Sequence, residues 1–196
     1  GIYVGQSRNI IVRENTAELN VAGIEIENSY NADVLRNTAT RNTGGILVFD
    51  LPGLPQQGGH SIRVYENTIT GNNTPYFAPA GNIVASVPAG TGILIMANRD
   101  VHVFDNEIGD HGTVNVLVTA YRDSFQDTNY NPLPRNIVIR DTRFGNAGFA
   151  PAGDLAALTQ AGVVLPDVLW DGATMYSVAG TPRIEPVRIV VNENRS

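Results

Sequence analysis

The chain of 196 residues has no cysteine and no lysine, and all 13 of its basic residues are arginine. Without cysteine there can be no disulfide and no thiolate metal site, and no redox compartment is implied. Aromatic residues make up only 7% of the chain. No apolar run approaches the roughly 20 residues needed to span a bilayer as a helix. A basic excess is missing too: the formal net charge is -6, so nucleic acid is not an expected partner. What abounds is glycine and asparagine, 20 of each. Few aromatics alongside many Val and Ile point to short strands and turns, not a helical bundle. The length suits one domain, or a single elongated array.

A repeat organises the chain. Gly1-Ile2-Tyr3-Val4 recurs as Gly23-Ile24-Glu25-Ile26, Gly45-Ile46-Leu47-Val48 and Gly92-Ile93-Leu94-Ile95, and more weakly as Asn115-Val116-Leu117-Val118; the first two intervals are 22 residues. A second block follows each copy, beginning at Arg8, Tyr30, His60, Arg99 and Arg135. A short third stretch then carries one apolar residue: Ala17, Ala39, Ile69, Ile108 or Phe144. Alternating apolar residues in the first two blocks mark strands with one buried face. Glycine or asparagine is expected to open each unit because it tolerates positive φ at a tight corner. One such unit cannot bury its apolar edge alone, so successive units must stack in register. Ile2, Ile24, Ile46, Ile93 and Val116 form one interior column, and Ile10, Ala32, Ile62, Val101 and Ile137 a second. The expected fold is all-β: a single-stranded parallel β-helix of about six coils with three strands each, in one domain over residues 1–196.

A leucine-rich repeat of roughly 20–29 residues fits the same period. It requires leucine three residues before Ile10, where the five units carry Ser7, Ser29, Gly59, Asn98 and Pro134, so the β-helix is preferred. Asn15, Asn37, Asn67 and Asn106 share a column and read as a hydrogen-bonded corner ladder, not as a binding site.

Interruptions of the repeat are expected to protrude: residues 50–59, 73–91 and 121–134. The loops at 50–59 and 121–134 flank the tight corner of the fourth unit, which predicts a notch floored by Asn98, Arg99 and Asp100. Beyond Gly145 the period fades. Residues 154–161 read as a short helix with Asp154 as N-cap and Gly162 beyond its end. The period returns at Ile189-x-Val191-x-Glu193-Asn194, the start of a sixth unit. Solenoid ends need cover. The expectation is therefore a fragment of a longer solenoid, or ends capped by other chains.

The loop motifs carry a resemblance. Phe49-Asp50-Leu51-Pro52-Gly53-Leu54-Pro55, Asn72-Asn73-Thr74-Pro75-Tyr76-Phe77-Ala78-Pro79, Gly81-Asn82-Ile83-Val84 and Pro88-Ala89-Gly90-Thr91-Gly92 resemble exported bacterial parallel β-helix repeat-containing proteins. These carry signal or lipoprotein leaders and are often encoded beside a second exported protein. The resemblance covers most of the chain. It implies a right-handed helix located beyond the inner membrane (periplasm, outer surface or extracellular), and it implies no reaction. More distantly, the fold is similar to that of pectate lyases, polygalacturonases and mannuronan epimerases, which bind polysaccharides along one face.

Outward positions of the second strand stack in columns. The middle column reads Ile11, Asp33, Arg63, His102, Val138, flanked by Asn9, Asn31, Ser61, Asp100, Asn136 and by Arg13, Leu35, Tyr65, Phe104, Arg140. Asp33, Arg63, Tyr65, His102 and Phe104, with Arg99 and Asp100 in the notch, are the expected ligand contacts. Arg63 would bind a sugar hydroxyl or carboxylate, and Tyr65 or Phe104 would stack on the ring. The plainer alternative is a solvated face with a weak Asp33–Arg63 ion pair. The outward first-strand positions Leu47, Phe49, Leu94, Met96 and Leu117 are apolar, and residues 73–91 or the segment after 145 are expected to cover them.

No catalytic set emerges. Gly109-Asp110-His111-Gly112 lacks the clustered aspartates of a polygalacturonase, and the epimerases' Asp-Pro-His is absent. Arg63 with His102 is the one pair a uronate lyase or epimerase could use as cation and base. Asp127-x-Asn129-x-Asn131 imitates a calcium loop, but Pro132 and Val138 stand where glycine and glutamate belong. The expected function is an exported scaffold for a polysaccharide or a partner protein, without cofactor or metal. A uronic-acid polysaccharide lyase or epimerase and a purely structural array are the alternatives.

Overall fold

The computed structural model describes residues 1–78 and 87–192. Coil one runs through β1 (Ile2–Gly5), β2 (Arg8–Arg13) and β3 (Thr16–Glu18); coil two through β4 (Ala22–Glu27), β5 (Tyr30–Leu35) and β6 (Thr38–Thr40). Coil three comprises β7 (Gly44–Phe49), β8 (His60–Tyr65) and β9 (Thr68–Thr70). Coil four comprises β10 (Thr91–Met96), β11 (Arg99–Phe104) and β12 (Glu107–Gly109), and coil five β13 (Val114–Thr119), β14 (Arg135–Arg140) and β15 (Arg143–Phe144). Corresponding strands pair in parallel to give three sheets, so the chain is a right-handed parallel β-helix.

The registers reproduce the expected columns. Ile2 pairs with Ile24, Ile24 with Ile46, Ile46 with Ile93 and Ile93 with Val116. Ile10, Ala32, Ile62, Val101 and Ile137 pair likewise in the second sheet. Inward residues of all three sheets merge into one core, with Ile24, Ile46, Ile62, Ile93 and Ile108 fully buried. Stacking in register gives every apolar rung an apolar neighbour on both sides, which makes burial continuous along the axis.

The opening glycines have a different cause from the one expected. Gly23, Gly45 and Gly92 do not have positive φ; the left-handed corners are held by Gln6, Glu14, Leu19, Arg36, Glu66, Ala97 and Asp105 among others. A Cβ at Gly45 would instead lie 2.4 Å from the carbonyl oxygen of Gly92, and one at Gly92 would lie 2.5 Å from that of Asn115. Close approach between coils, not turn geometry, excludes a side chain there.

Two polar ladders close the corners. Asn15, Asn37 and Asn67 each donate backbone N–H to the Oδ1 of the asparagine one coil on, at 2.9–3.1 Å. The second ladder, invisible in the repeat comparison, is Asn20–Asn42–Asn72, and it ends on His111, whose ring nitrogens contact Asn72 and Asn115. His111 is fully buried, and burial lowers its pKa. It belongs to the corner, which removes the weak polygalacturonase echo.

Coil six begins earlier than the period suggests. β16 (Val168–Trp170) pairs with β13, and β19 (Ile189–Asn192) pairs with β14. Between them lies an antiparallel hairpin, β17 (Met175–Val178) and β18 (Thr181–Ile184). Neither β16 nor the hairpin carries the Gly-Ile signature, which hides them from a repeat search. Glu193 and Asn194 lie outside the described residues. Helix α1 (Asp154–Gln160) forms as expected, but Gly153 is its N-cap and Asp154 lies in its first turn. Gly162 follows its end in the left-handed region, as a C-terminal glycine should.

Outward side chains of the first sheet are covered. Leu47, Phe49, Leu94, Met96 and Leu117 form a second cluster with Val87 and Tyr130, flanked by Ala78, Leu51, Tyr121, Phe125 and Leu169. Part of the cover is thus the 73–91 excursion and the later chain, as expected. The rest is the 121–134 connection, which folds back so far that Tyr130 is 1% exposed and donates its hydroxyl to Asp50 O at 2.6 Å.

Candidate functional site

The second sheet keeps its outer face open. On adjacent rungs Ile11 pairs with Asp33, Asp33 with Arg63 and Arg63 with His102, so the three chemically active side chains of the middle column are brought together. Asp33 accepts two bonds from Arg63, Nε and Nη2 each at 2.6 Å. That bidentate bond raises the guanidinium pKa. The pair is lopsided: the Arg63 side chain is 55% exposed and that of Asp33 19%. Arg63 thus stays oriented by its partner while much of its surface remains in water. His102 is exposed on the next rung.

Tyr65 and Phe104 stack on neighbouring rungs with centroids 4.9 Å apart and planes within 3°. Arg140 covers the other face of Phe104 at 4.6 Å, and Leu35 is the register neighbour on the far side of Tyr65. The rings are thus engaged along the axis and turn their edges outward. A sugar has no free face of Phe104 to stack on.

The notch is bridged. Gln57 donates to Asp127 at 2.8 Å between the two flanking loops, and Asn98 is fully buried. Arg99 and Asp100 remain half-exposed and pair at 2.7 Å. Burial by itself would raise the Asp100 carboxyl; the Asn136 amide and the charge of Arg99 outweigh it and hold it below its ordinary value.

A further column of the second sheet escaped sequence reasoning. Arg8, Tyr30, His60, Arg99 and Arg135 are register partners at the start of the second strands. Arg8 lies over the Tyr30 ring at 5.0 Å, and Tyr30 stacks on His60 at 4.5 Å. Burial lowers the His60 pKa, and Arg99 adds to the effect. Burial likewise lowers that of Arg135, whose buried Nε has no hydrogen-bond partner among the described residues. The signal was present, since every second block opens on Arg, Tyr or His, but the alternation drew attention to later positions. Counting the five strands together, six arginines (Arg8, Arg13, Arg63, Arg99, Arg135, Arg140) face two aspartates (Asp33, Asp100). The chain as a whole is at -6.

One family model matches the chain, over residues 1–131: NosD, described as periplasmic copper-binding protein. No curated protein and no solved structure matches it. Copper is held by imidazole, thiolate and thioether donors gathered at one point, and the donors here are dispersed. His111 has both ring nitrogens engaged in its corner, His60 bonds Ser61 at 2.9 Å, and His102 has Arg63 and Val138 as rung neighbours. Met96 is buried in the second cluster, and Met175 lies on the hairpin. Among the described residues no three His, Cys, Asp or Glu side chains form a group that could hold a metal ion, so the residues do not fit the group the family description implies. With 131 of its 196 residues matched, the chain belongs to the NosD family, as a parallel β-helix member without an assembled copper-ligand set among its described residues.

Proposed function

We propose that the chain is an exported, non-catalytic scaffold that binds an acidic polysaccharide along the outer face of its second sheet. The single observation carrying this reading is that five strands of the second sheet hold six arginines against two aspartates in a chain of net charge -6, with Arg8, Arg13, Arg63 and Arg140 exposed. Rungs about 4.8 Å apart offer a flexible polymer a regular series of guanidinium groups. Arginine forks match carboxylates. Arg63, Arg99 and His102 are the central contacts, with Asp33 and Asp100 as the orienting partners of Arg63 and Arg99 and with Tyr65 and Phe104 contributing ring edges. Exposed Arg13 extends the strip at one end. The family description supports a periplasmic location.

A second reading, a uronate lyase or epimerase, draws on the adjacency of Arg63 and His102. The surroundings of His102 weaken it: its rung neighbours are Arg63 and Val138, and among the described residues no hydrogen bond orients its ring as a base.

One experiment separates these readings. Binding of polygalacturonate, alginate and fully methyl-esterified pectin is measured at two salt concentrations while absorbance of an unsaturated product is followed. The scaffold reading expects salt-sensitive binding of the two acidic polymers, several-fold weaker in Arg63→Gln and Arg13→Gln, and no product. Equal binding of the esterified polymer would remove the electrostatic basis. Product that disappears in His102→Ala would establish the lyase instead. Tighter binding of polyglutamate than of either sugar acid would point to an acidic protein surface.

A further inference from the structure

The outer side of the first sheet borders a void. A cavity of about 900 Å³ lies between its outer face, residues 87–89, the turn at 121–123 and helix α1. Leu94, Met96 and Leu117 face it from the sheet side, and Leu155 and Leu158 from the helix. Helix α1 has seven residues, none of them buried, and no side-chain cap. So short a helix has little stability of its own, and its apolar side meets a space where packing would be expected. The volume falls within the range of small-ligand sites.

Two further observations give the occupant its chemistry. Tyr76, which lines the cavity, has a buried hydroxyl without a hydrogen-bond partner among the described residues, an arrangement that a ligand's polar group would relieve. The rim holds three carboxylates, Asp123, Asp154 and Asp171, against one guanidinium, Arg122. Arg122 is already paired with Asp171 at 3.1 Å. Asp171 is further held by Thr119 and the Ala120 amide, each at 2.9 Å, so its position is fixed. Asp123 and Asp154 are left exposed, without an ion-pair partner among the described residues, at the mouth of an apolar chamber. An anionic head group would be repelled there and a cationic one drawn in.

We propose that this cavity binds a small amphiphile with an apolar body and a cationic head, the body between the sheet and helix α1 and the head at Asp123 and Asp154. Much of the chamber is built from residues beyond the family-matched segment, and it lies on a different sheet from the polysaccharide strip. Either site can therefore fail without the other.

Trp170, the only tryptophan of the chain, lies at the cavity wall and serves as reporter. Decyltrimethylammonium and decyl sulfate, both below their micelle concentrations, are titrated while Trp170 fluorescence and heat are recorded. The expected result is saturable binding of the cation only, weakened about tenfold in Asp123→Asn/Asp154→Asn and lost in Leu158→Glu, an exposed helix position whose change leaves the fold intact. Equal binding of the sulfate would overturn the assigned head group. Absence of saturable binding, or binding untouched by Leu158→Glu, would overturn the site.

Discussion

In coils three to five the outward positions of the first sheet include Leu47, Phe49, Leu94, Met96 and Leu117; those of the second include Arg63, Tyr65, His102, Phe104 and Arg140. Both rows hang on the same repeat, and the inward residues behind them are equally apolar and equally buried. The difference lies in what the connections do. The 73–91 and 121–134 insertions send Val87 and Tyr130 across the first sheet and turn its outer face into a second core. Among the described residues no insertion crosses the middle rungs of the second sheet, and Arg63 stays half-exposed there. A solenoid repeat thus fixes the interior, while the insertions decide which face is left for a ligand.

The largest expected contrast is in stability. Phe49→Ala, at a fully buried outward position of the first sheet, should cost about 3–5 kcal/mol. Ile11→Ala, at a 65% exposed outward position of the second, should cost less than about 0.5 kcal/mol. Urea unfolding of both variants measures the difference, and similar costs would mean that the first face is not packed. The corner between the second and third sheets comes next. Asn67 donates to Val34 O, Tyr65 O and Asn106 Oδ1 and accepts from Asn37 N–H, so Asn67→Ala should cost about 1–3 kcal/mol.

A pH effect distinguishes the same faces. Glu25 sits outward on the first sheet, and burial, aided by the charge of Glu27, raises its pKa from the ordinary 4.5 to about 7. The folded protein therefore holds this proton more tightly than the unfolded chain does. The associated stability is fully present below pH about 4.5 and is lost as pH rises through about 7. Thermal unfolding between pH 5 and 8 should show the decline, and Glu25→Gln should flatten it. On the second sheet, loss of the exposed Asp33–Arg63 pair in Asp33→Ala should change stability by at most about 1 kcal/mol, even where ligand affinity changes. The smallest expected effect is that of copper: Cu(II) titrated in calorimetry should give no stoichiometric binding, because no donor set is gathered among the described residues to receive it.

The interior was legible before any coordinates because its physics is periodic. Ile24, Ile46 and Ile93 announce their stacking by recurrence, and Asn15, Asn37, Asn67 and Asn106 do so at the corner. Asp33, Arg63 and His102 could be placed side by side for the same reason, since register carries outward residues along with inward ones. What recurrence does not encode was missed. The Tyr65–Phe104–Arg140 stack depends on rotamers, so the rings looked available when their faces were in use. The fold-back of Tyr130 onto Asp50 is a contact eighty positions apart between two insertions. The second ladder was hidden because its last member is His111, not asparagine, and β16 because Val168-Leu169-Trp170 lacks the opening glycine. The role of that glycine was misjudged since close approach between coils is visible only once the coils are stacked.

Arginine-selective modification read by mass spectrometry tests the central claim most directly, with polygalacturonate present or absent. Arg13, Arg63 and Arg99 lie on the second-sheet face, whereas Arg36, Arg41 and Arg143 lie on other parts of the surface. The account predicts that the polymer slows modification of the first three and leaves the other three unchanged. Uniform protection of all six, or protection confined to Arg36, Arg41 and Arg143, would contradict it.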